Sequence, residues 1–247
     1  MKSAQQGIIA GGDLYFDFLT PDGASTGFDL VGNATKLIPK VETETLENKL
    51  NGRDTLGQTG DSYTRITSST VSLSLNRYDP RILAAFFMGR AQDMEADAGA
   101  YSAAVTAIHD KWVPIELVDL TTCEVKDEDG LATYTLGTDY EINLRMGMIR
   151  ALSTGSIKDG EVLNLSGNKA AASGSKITGA TSPVINVGLY LDGRNYVDGS
   201  DIKLRVFKVQ LRAEGDFDML AQGGFPELGF VGTMITPEGK TWPFEII

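Results

Sequence analysis

The chain is short of the residues that most chemistry needs. Among 247 residues it has one cysteine, Cys123, and one histidine, His109. A single cysteine excludes an intrachain disulfide. One His and one Cys exclude a typical structural zinc site within one chain. Proline is modest, at 8 residues. No apolar run approaches the roughly 20 residues of a membrane-spanning helix. The opening Met1–Gln6 carries no apolar signal core, so no export signal is expected. Positive charge is scarce too: 22 Lys and Arg stand against 33 Asp and Glu, a net charge of −11. A nucleic-acid binder needs a basic footprint to displace counterions from phosphates, and this chain lacks one.

Catalytic patterns fail one by one. His109 lies between Ile108 and Asp110 with no nucleophile-elbow sequence to accompany it. Ser166 to Lys169 and Ser173 to Lys176 have Ser-x-x-Lys spacing. Both lie in a Gly/Ser-rich tract rather than at a helix start. Lys126–Gly130 resembles a calcium loop, but Val125 stands where the first oxygen ligand belongs. No Walker-type phosphate loop is present. Cys123 sits in an apparent strand, where a small buried thiol is the expected role. No catalytic residue, cofactor or metal is expected. Function should therefore reside in surfaces and assembly.

What is present is β-patterning. The 28 glycines separate many short alternating runs, which indicates a mainly β chain with many turns. Thr70–Asn76 alternates strictly: Val71, Leu73 and Leu75 face one way, Thr70, Ser72, Ser74 and Asn76 the other. One helix is written at 79–89. Asp79 suits the N-cap, Pro80 the first helical position, and Gly89 a left-handed C-terminal cap. Between them Ile82 to Met88 is apolar on every side. A surface helix needs only one apolar stripe, so this one must be covered all round. Ile82, Leu83, Phe86 and Phe87 are the candidate subunit-interface residues.

Val41–Glu47 has two mixed faces. Val41, Thr43, Thr45 and Glu47 share one; Glu42, Glu44 and Leu46 share the other. Such a strand lies at a solvent edge or lines a watery cavity. Pro39 cannot donate to a ladder, which puts this segment on a sheet edge or breaks it. Residues 48–67 are polar and glycine-punctuated, and read as a long loop of the functional kind. Alanine-rich 91–106 reads as a weak helix or linker, and 167–182 as a flexible exit. Between these lies a set of short strands, 107–168, that reads as a small inserted β-module. The main domain is then discontinuous, 1–106 with 169–247. Asp192 and Gly193 read as a tight turn. Ile202–Arg212 changes parity midway, so a bulge is expected near Val206 and Phe207. The apolar tail Trp242–Ile247 should be docked somewhere.

Several of these passages resemble the tail tube (major tail) proteins of long-tailed bacteriophages. They are Phe28–Asn33 through Val41–Glu47, the polar stretch 48–67, and Val71–Leu75 followed by Asp79, Pro80 and the apolar helix. Ile202–Arg212, Gly215–Leu220 and Phe230–Gly232 resemble the family's closing strands. Gly137–Ile142, Gly147–Ile149 and Ile157–Gly160 resemble a module found in some members. Together these cover most of the chain, and no single motif is diagnostic.

The resemblance implies a β-sandwich or barrel with one flanking α-helix and a small inserted β-module. It implies stacked hexameric rings whose sheets join into a continuous inner barrel, a DNA-conducting channel located in the virion tail and assembled in the host cytoplasm. The implied partners are further copies of the chain, the tail tape-measure protein, double-stranded DNA passing without specific binding, and tail-terminator and baseplate proteins. No membrane insertion is implied. Glu42, Glu44 and Glu47 become candidate lumen-lining residues, because an acidic wall repels DNA within the screening length of about 8–10 Å. Asn51, Arg53, Asp54 and Tyr63 become candidate ring-to-ring contacts. The N- and C-terminal segments become candidate arms onto a neighbour. The alternatives are a ring of a related contractile injection or secretion system, a tail-terminator or baseplate ring, and a host- or glycan-binding β-protein.

Overall fold

The structure, a computed structural model, describes residues 7–220 and 223–247. Met1–Gln6, where the export-signal expectation falls, lie outside the described residues. The strands in chain order are β1 (Ala10–Phe18), β2 (Phe28–Leu30), β3 (Asn33–Lys49) and β4 (Thr59–Arg77). The helix α1 (Pro80–Phe86) follows, then β5 (Arg90–Ala96), β6 (Gly99–Thr106), β7 (Trp112–Pro114) and β8 (Leu120–Lys126). Next come β9 (Tyr140–Asn143), β10 (Met148–Ala151), β11 (Val162–Lys169) and β12 (Ala172–Thr178). The chain ends with β13 (Ile185–Asn195), β14 (Asp201–Glu214), β15 (Leu228–Met234) and β16 (Phe244–Ile246). The fold is mainly β with one helix and several sheets.

The chain divides into two compact units, Met1–Ala91 with Ile177–Ile247, and Gln92–Lys176. The inserted unit is thus wider than the 107–168 read from sequence. The reason lies in register: β6 pairs along its whole length with β11, Gly99 opposite Lys169 and Thr106 opposite Val162. The alanine-rich stretch, whose composition suggests a weak helix or linker, is therefore mostly strand. So is much of the expected flexible exit, since β11 runs to Lys169 and β12 pairs with β5. Alanine's helix preference is a weak prior that pairing overrides.

In the first unit one antiparallel sheet runs β2-β1-β13-β14-β15-β4-β3, with β16 also on β14. Its two margins are β2 and β3, and only Val31 and Gly32 separate them in the chain. A connection so short forces the sheet to curl until its margins meet. Val31 is buried and donates to the Leu14 carbonyl at 3.1 Å. Gly32 has φ +103°, and a Cβ there would stand 2.1 Å from the Arg77 carbonyl oxygen, so only glycine fits. Inside the curl lie Leu14 and Phe16 of β1, Val71, Leu73 and Leu75 of β4, and Val209 and Leu211 of β14. The alternation at 70–76 thus gives the burial its pattern promised.

The parity change in β14 is a bulge. Val187 opposes Val209 while Leu189 opposes Val206, so β14 spends one extra residue across Phe207 and Lys208. Leu204, Val206, Val209 and Leu211 all turn inward as a result. Asp192 and Gly193, by contrast, are not a turn. They lie within β13, opposite Lys203 and Ile202. Gly193 sits between close neighbouring strands, which gives the glycine a packing role instead of a reversal.

Helix α1 begins as its sequence dictates. The Asp79 carboxylate accepts from the Ile82 N–H at 2.8 Å, and Pro80 occupies the first helical position. Its end differs from expectation. Met88, at φ +51°, takes the left-handed conformation. The Met88 N–H then donates to Ala85 and the Gly89 N–H to Ala84, a paired C-terminal cap. Gly89 is needed because a Cβ there would lie 2.1 Å from the Thr178 carbonyl oxygen.

The second unit has two three-stranded antiparallel sheets, β6-β11-β8 and β7-β10-β9. They share a core that includes Val125, Tyr140, Ile149, Ile157, Leu163 and Leu165. Cys123 is half-buried on β8, and burial pushes its thiol above the usual range.

Candidate functional site

The feature that demands explanation is the outer half of the β3–β4 hairpin. The stretch 48–67 is not a long loop: β3 continues to Lys49 and β4 resumes at Thr59, leaving only 50–58 as the tip. Serine, threonine and glycine hid these strands, because neither face carries a continuous apolar row. Every residue from Lys40 to Thr67 except Thr55 is exposed. At about 3.4 Å per residue, the ribbon beyond Lys40 extends about 30 Å. An isolated two-stranded ribbon is marginal in water. This one is held by cross-strand bonds and still presents Leu46, Leu56, Tyr63 and Ile66 to solvent, with Ile66 69% exposed.

Register assigns its faces. Glu42 opposes Ser68, Glu44 opposes Arg65, and Leu46 opposes Tyr63, all on one face. Thr43 opposes Ile66, Thr45 opposes Thr64, and Glu47 opposes Ser62 on the other. A bulge at Thr67 keeps the two faces in step. The first face continues the side of the sheet that carries Thr70, Ser72 and Ser74. The second continues the side that carries Val71 and Leu73 into the core.

The three candidate lumen-lining glutamates are therefore not brought together. Glu42 and Glu44 share a face, and Glu47 lies opposite. None is an uncompensated charge. Lys40 Nζ is 2.8 Å from Glu42 and Arg65 Nη2 is 2.8 Å from Glu44, while Lys49 pairs with Glu47. Lys40 and the Ser68 hydroxyl hold the Glu42 carboxyl below its usual range, and Lys49 does the same for Glu47. From Lys40 to Ser69 the arm has four cations and five carboxylates. It is close to neutral, and the chain's acidity lies elsewhere.

Of the candidate ring-to-ring residues, Asn51, Arg53 and Asp54 sit at the tip and Tyr63 on β4. Arg53 and Asp54 are almost fully exposed. The tip is ordered by its own backbone, with Leu50 donating to Gln58 at 2.8 Å and Gly57 to Leu50 at 2.9 Å.

The helix is covered from within its own chain. Ile82 and Phe86 are buried, against the expectation that they meet a neighbouring subunit. Phe86 packs edge-on to Phe230 with ring centroids 5.8 Å apart, and it also meets Phe217 and Phe87. The curl of the sheet, invisible in a local pattern, supplies this cover. Of the four candidate interface residues, Leu83 and Phe87 remain half-exposed. The C-terminal tail is likewise docked at home, since β16 pairs with β14, Ile246 opposite Leu204.

His109 makes two bonds of a structural kind. Its Nε2 lies 2.8 Å from the Ile157 carbonyl and its backbone N–H donates to Asp159 at 2.8 Å. Among the described residues no group of three or more His, Cys, Asp or Glu is placed to hold a metal ion. Among the same residues no helix is long and apolar enough to cross a membrane.

Compared with known families, residues 8–240 match the family described as Protein of unknown function UCP028589, and the chain belongs to it. No curated protein matches the chain.

Proposed function

We propose that this chain is a structural subunit of a bacteriophage tail tube, assembling into stacked hexameric rings that enclose a DNA-conducting channel. The observation that carries the reading is the β3–β4 arm. It projects both faces into solvent, bears large apolar side chains, and has no cover among the described residues. Such a ribbon gains stability when a partner covers it, and a second copy is the partner that the resemblance implies.

Other features support the reading. The curled sheet has a polar outer side in Thr70, Ser72 and Ser74, continued along the arm by Glu42 and Glu44. As a lumen wall this side would present hydroxyls and paired charges. Carboxylates already matched by Lys40 and Arg65 leave little net field of either sign. DNA would then pass without being held, which replaces the acidic-wall version of the idea. Glu47, on the opposite face, would lie outside the lumen. Leu83 and Phe87 are the helix residues left for a neighbouring subunit, and Asn51, Arg53, Asp54 and Tyr63 are carried by the arm toward the next ring. The tape-measure protein would occupy the same lumen before the DNA, and terminator and baseplate proteins would meet the ends of the tube.

Negative-stain electron microscopy of the purified protein tests the reading. Tubes of uniform diameter are expected. A single ring that does not stack would indicate a terminator, and a monomer at all concentrations would overturn the assembly reading.

A further inference from the structure

A second surface of the first unit suits a contact between copies. Beside helix α1 a cavity of about 550 Å³ is lined by Leu19, Arg81, Ala84, Arg90, Val184 and Asn186, among others. Its lining mixes apolar side chains with polar groups and the two arginines Arg81 and Arg90. Arg81 is shared with Asp29 through an exposed pair at 2.7 Å and lies over the Phe18 ring. Arg90 is exposed and makes no ion pair among the described residues. The Asn186 side-chain oxygen is buried without a hydrogen-bond partner.

The same unit carries a segment with the opposite character. After β14 the chain leaves at Gly215 and passes Asp216, Phe217, Asp218, Met219 and Leu220. Phe217 roots it on the far side of the helix, with its ring 6.0 Å from both Phe87 and Tyr78. Beyond that root, Met219 is 71% exposed and Leu220 84%. Neither Asp216 nor Asp218 has an ion-pair partner among the described residues, and Asp218 accepts only from the Leu220 N–H at 2.8 Å. An exposed Met-Leu pair preceded by two aspartates complements a cavity that sets Leu19, Ala84 and Val184 beside two arginines.

We infer that the Asp216–Leu220 segment of one copy inserts into the α1 cavity of the next copy. Met219 and Leu220 pack against Leu19, Ala84 and Val184, and Asp218 meets Arg90. One chain carries both halves, on different sides of the helix. The contact is therefore head-to-tail, and it repeats from copy to copy until it closes a ring. This rests on the assembly reading only in requiring that copies associate.

The test is site-directed cross-linking in a Cys123→Ala background. Val184→Cys lines the cavity and Leu220→Cys sits on the segment. Oxidation of the double variant should give a reducible ladder of covalent oligomers, while each single variant gives nothing beyond a dimer. Monomer only, an intrachain bridge, or a product that stops at dimer would overturn the inference. A charge exchange gives a second readout. Arg90→Glu should weaken association by about tenfold or more, and adding Asp218→Arg should restore it. Restoration failing while each variant keeps the parent's thermal midpoint would count against the pairing. Tubes in the microscope without a ladder would sink this contact and leave the tube reading standing. A ladder without tubes would do the reverse.

Discussion

Arg65 donates to Glu44 from the directly opposed position on the β3–β4 arm, through Nε at 3.0 Å and Nη2 at 2.8 Å. The pair sits where no core lies beneath it. Exposed pairs contribute only about 0–1 kcal/mol, so its effect should be local. Arg65→Glu, which opposes two carboxylates, should fray the arm without unfolding the protein. Amide exchange should quicken from Thr43 to Ser68 while the global denaturation midpoint stays unchanged. Unaltered exchange in the arm would contradict the role given to the pair.

Tyr63 and Ile66 project from opposite faces of the same ribbon. Replacing both with serine removes exposed apolar surface and no core contact. Monomer stability should stay within about 0.5 kcal/mol of the parent. Assembly, followed by sedimentation velocity, should be lost. Assembly at parental concentrations would mean that the arm is not an interface.

Phe86 and Phe87 are neighbours in sequence with different environments. Phe86 is buried against Phe230 and Phe217, and Phe87 is half-exposed. Phe86→Ala should cost about 3–5 kcal/mol in chemical denaturation. Phe87→Ala should cost less and show its larger effect on assembly. Equal stability losses at both positions would refute this division.

That division also marks what could be read from the chain alone. The cap at Asp79, the alternation at Val71–Leu75 and the bulge after Val206 are local patterns, and local patterns are legible. What covers Phe86 depends on a sheet that curls through Val31 and Gly32, joining strands far apart in sequence. No window of residues contains that information. The arm was hidden for another reason. Strand signals rest on a buried face, and Thr43–Lys49 with Thr59–Thr67 have none. Of the charge pairs, Glu44 with Arg65 was out of reach because it depends on register, whereas Lys40 with Glu42 and Glu47 with Lys49 stand two residues apart on one strand. Ala91–Thr106 shows composition giving way to pairing partners some 60 residues on.

Asp139 of the inserted unit is buried and accepts from the Thr135 and Ser156 N–H groups, each at 2.8 Å. The Thr135 donation, followed by that of Ser156, holds its carboxyl below the usual range. A depressed folded pKa stabilises the fold above the unfolded value of about 3.9, and that contribution is lost as pH falls through the folded pKa. The thermal midpoint of the inserted unit should therefore fall below about pH 4. Asp139→Asn should be less stable at neutral pH and should lose part of that acid dependence. Parallel pH profiles for the two proteins would contradict the assignment.

The central claim is that the exposed arm exists to be covered by further copies of the chain. Negative-stain imaging of the purified parent beside the Tyr63→Ser, Ile66→Ser variant tests it most directly. Tubes of uniform diameter in the parent, and dispersed folded protein in the variant, are the predicted result. A parent that stays monomeric at high concentration, or a variant that forms the same tubes, would contradict the account.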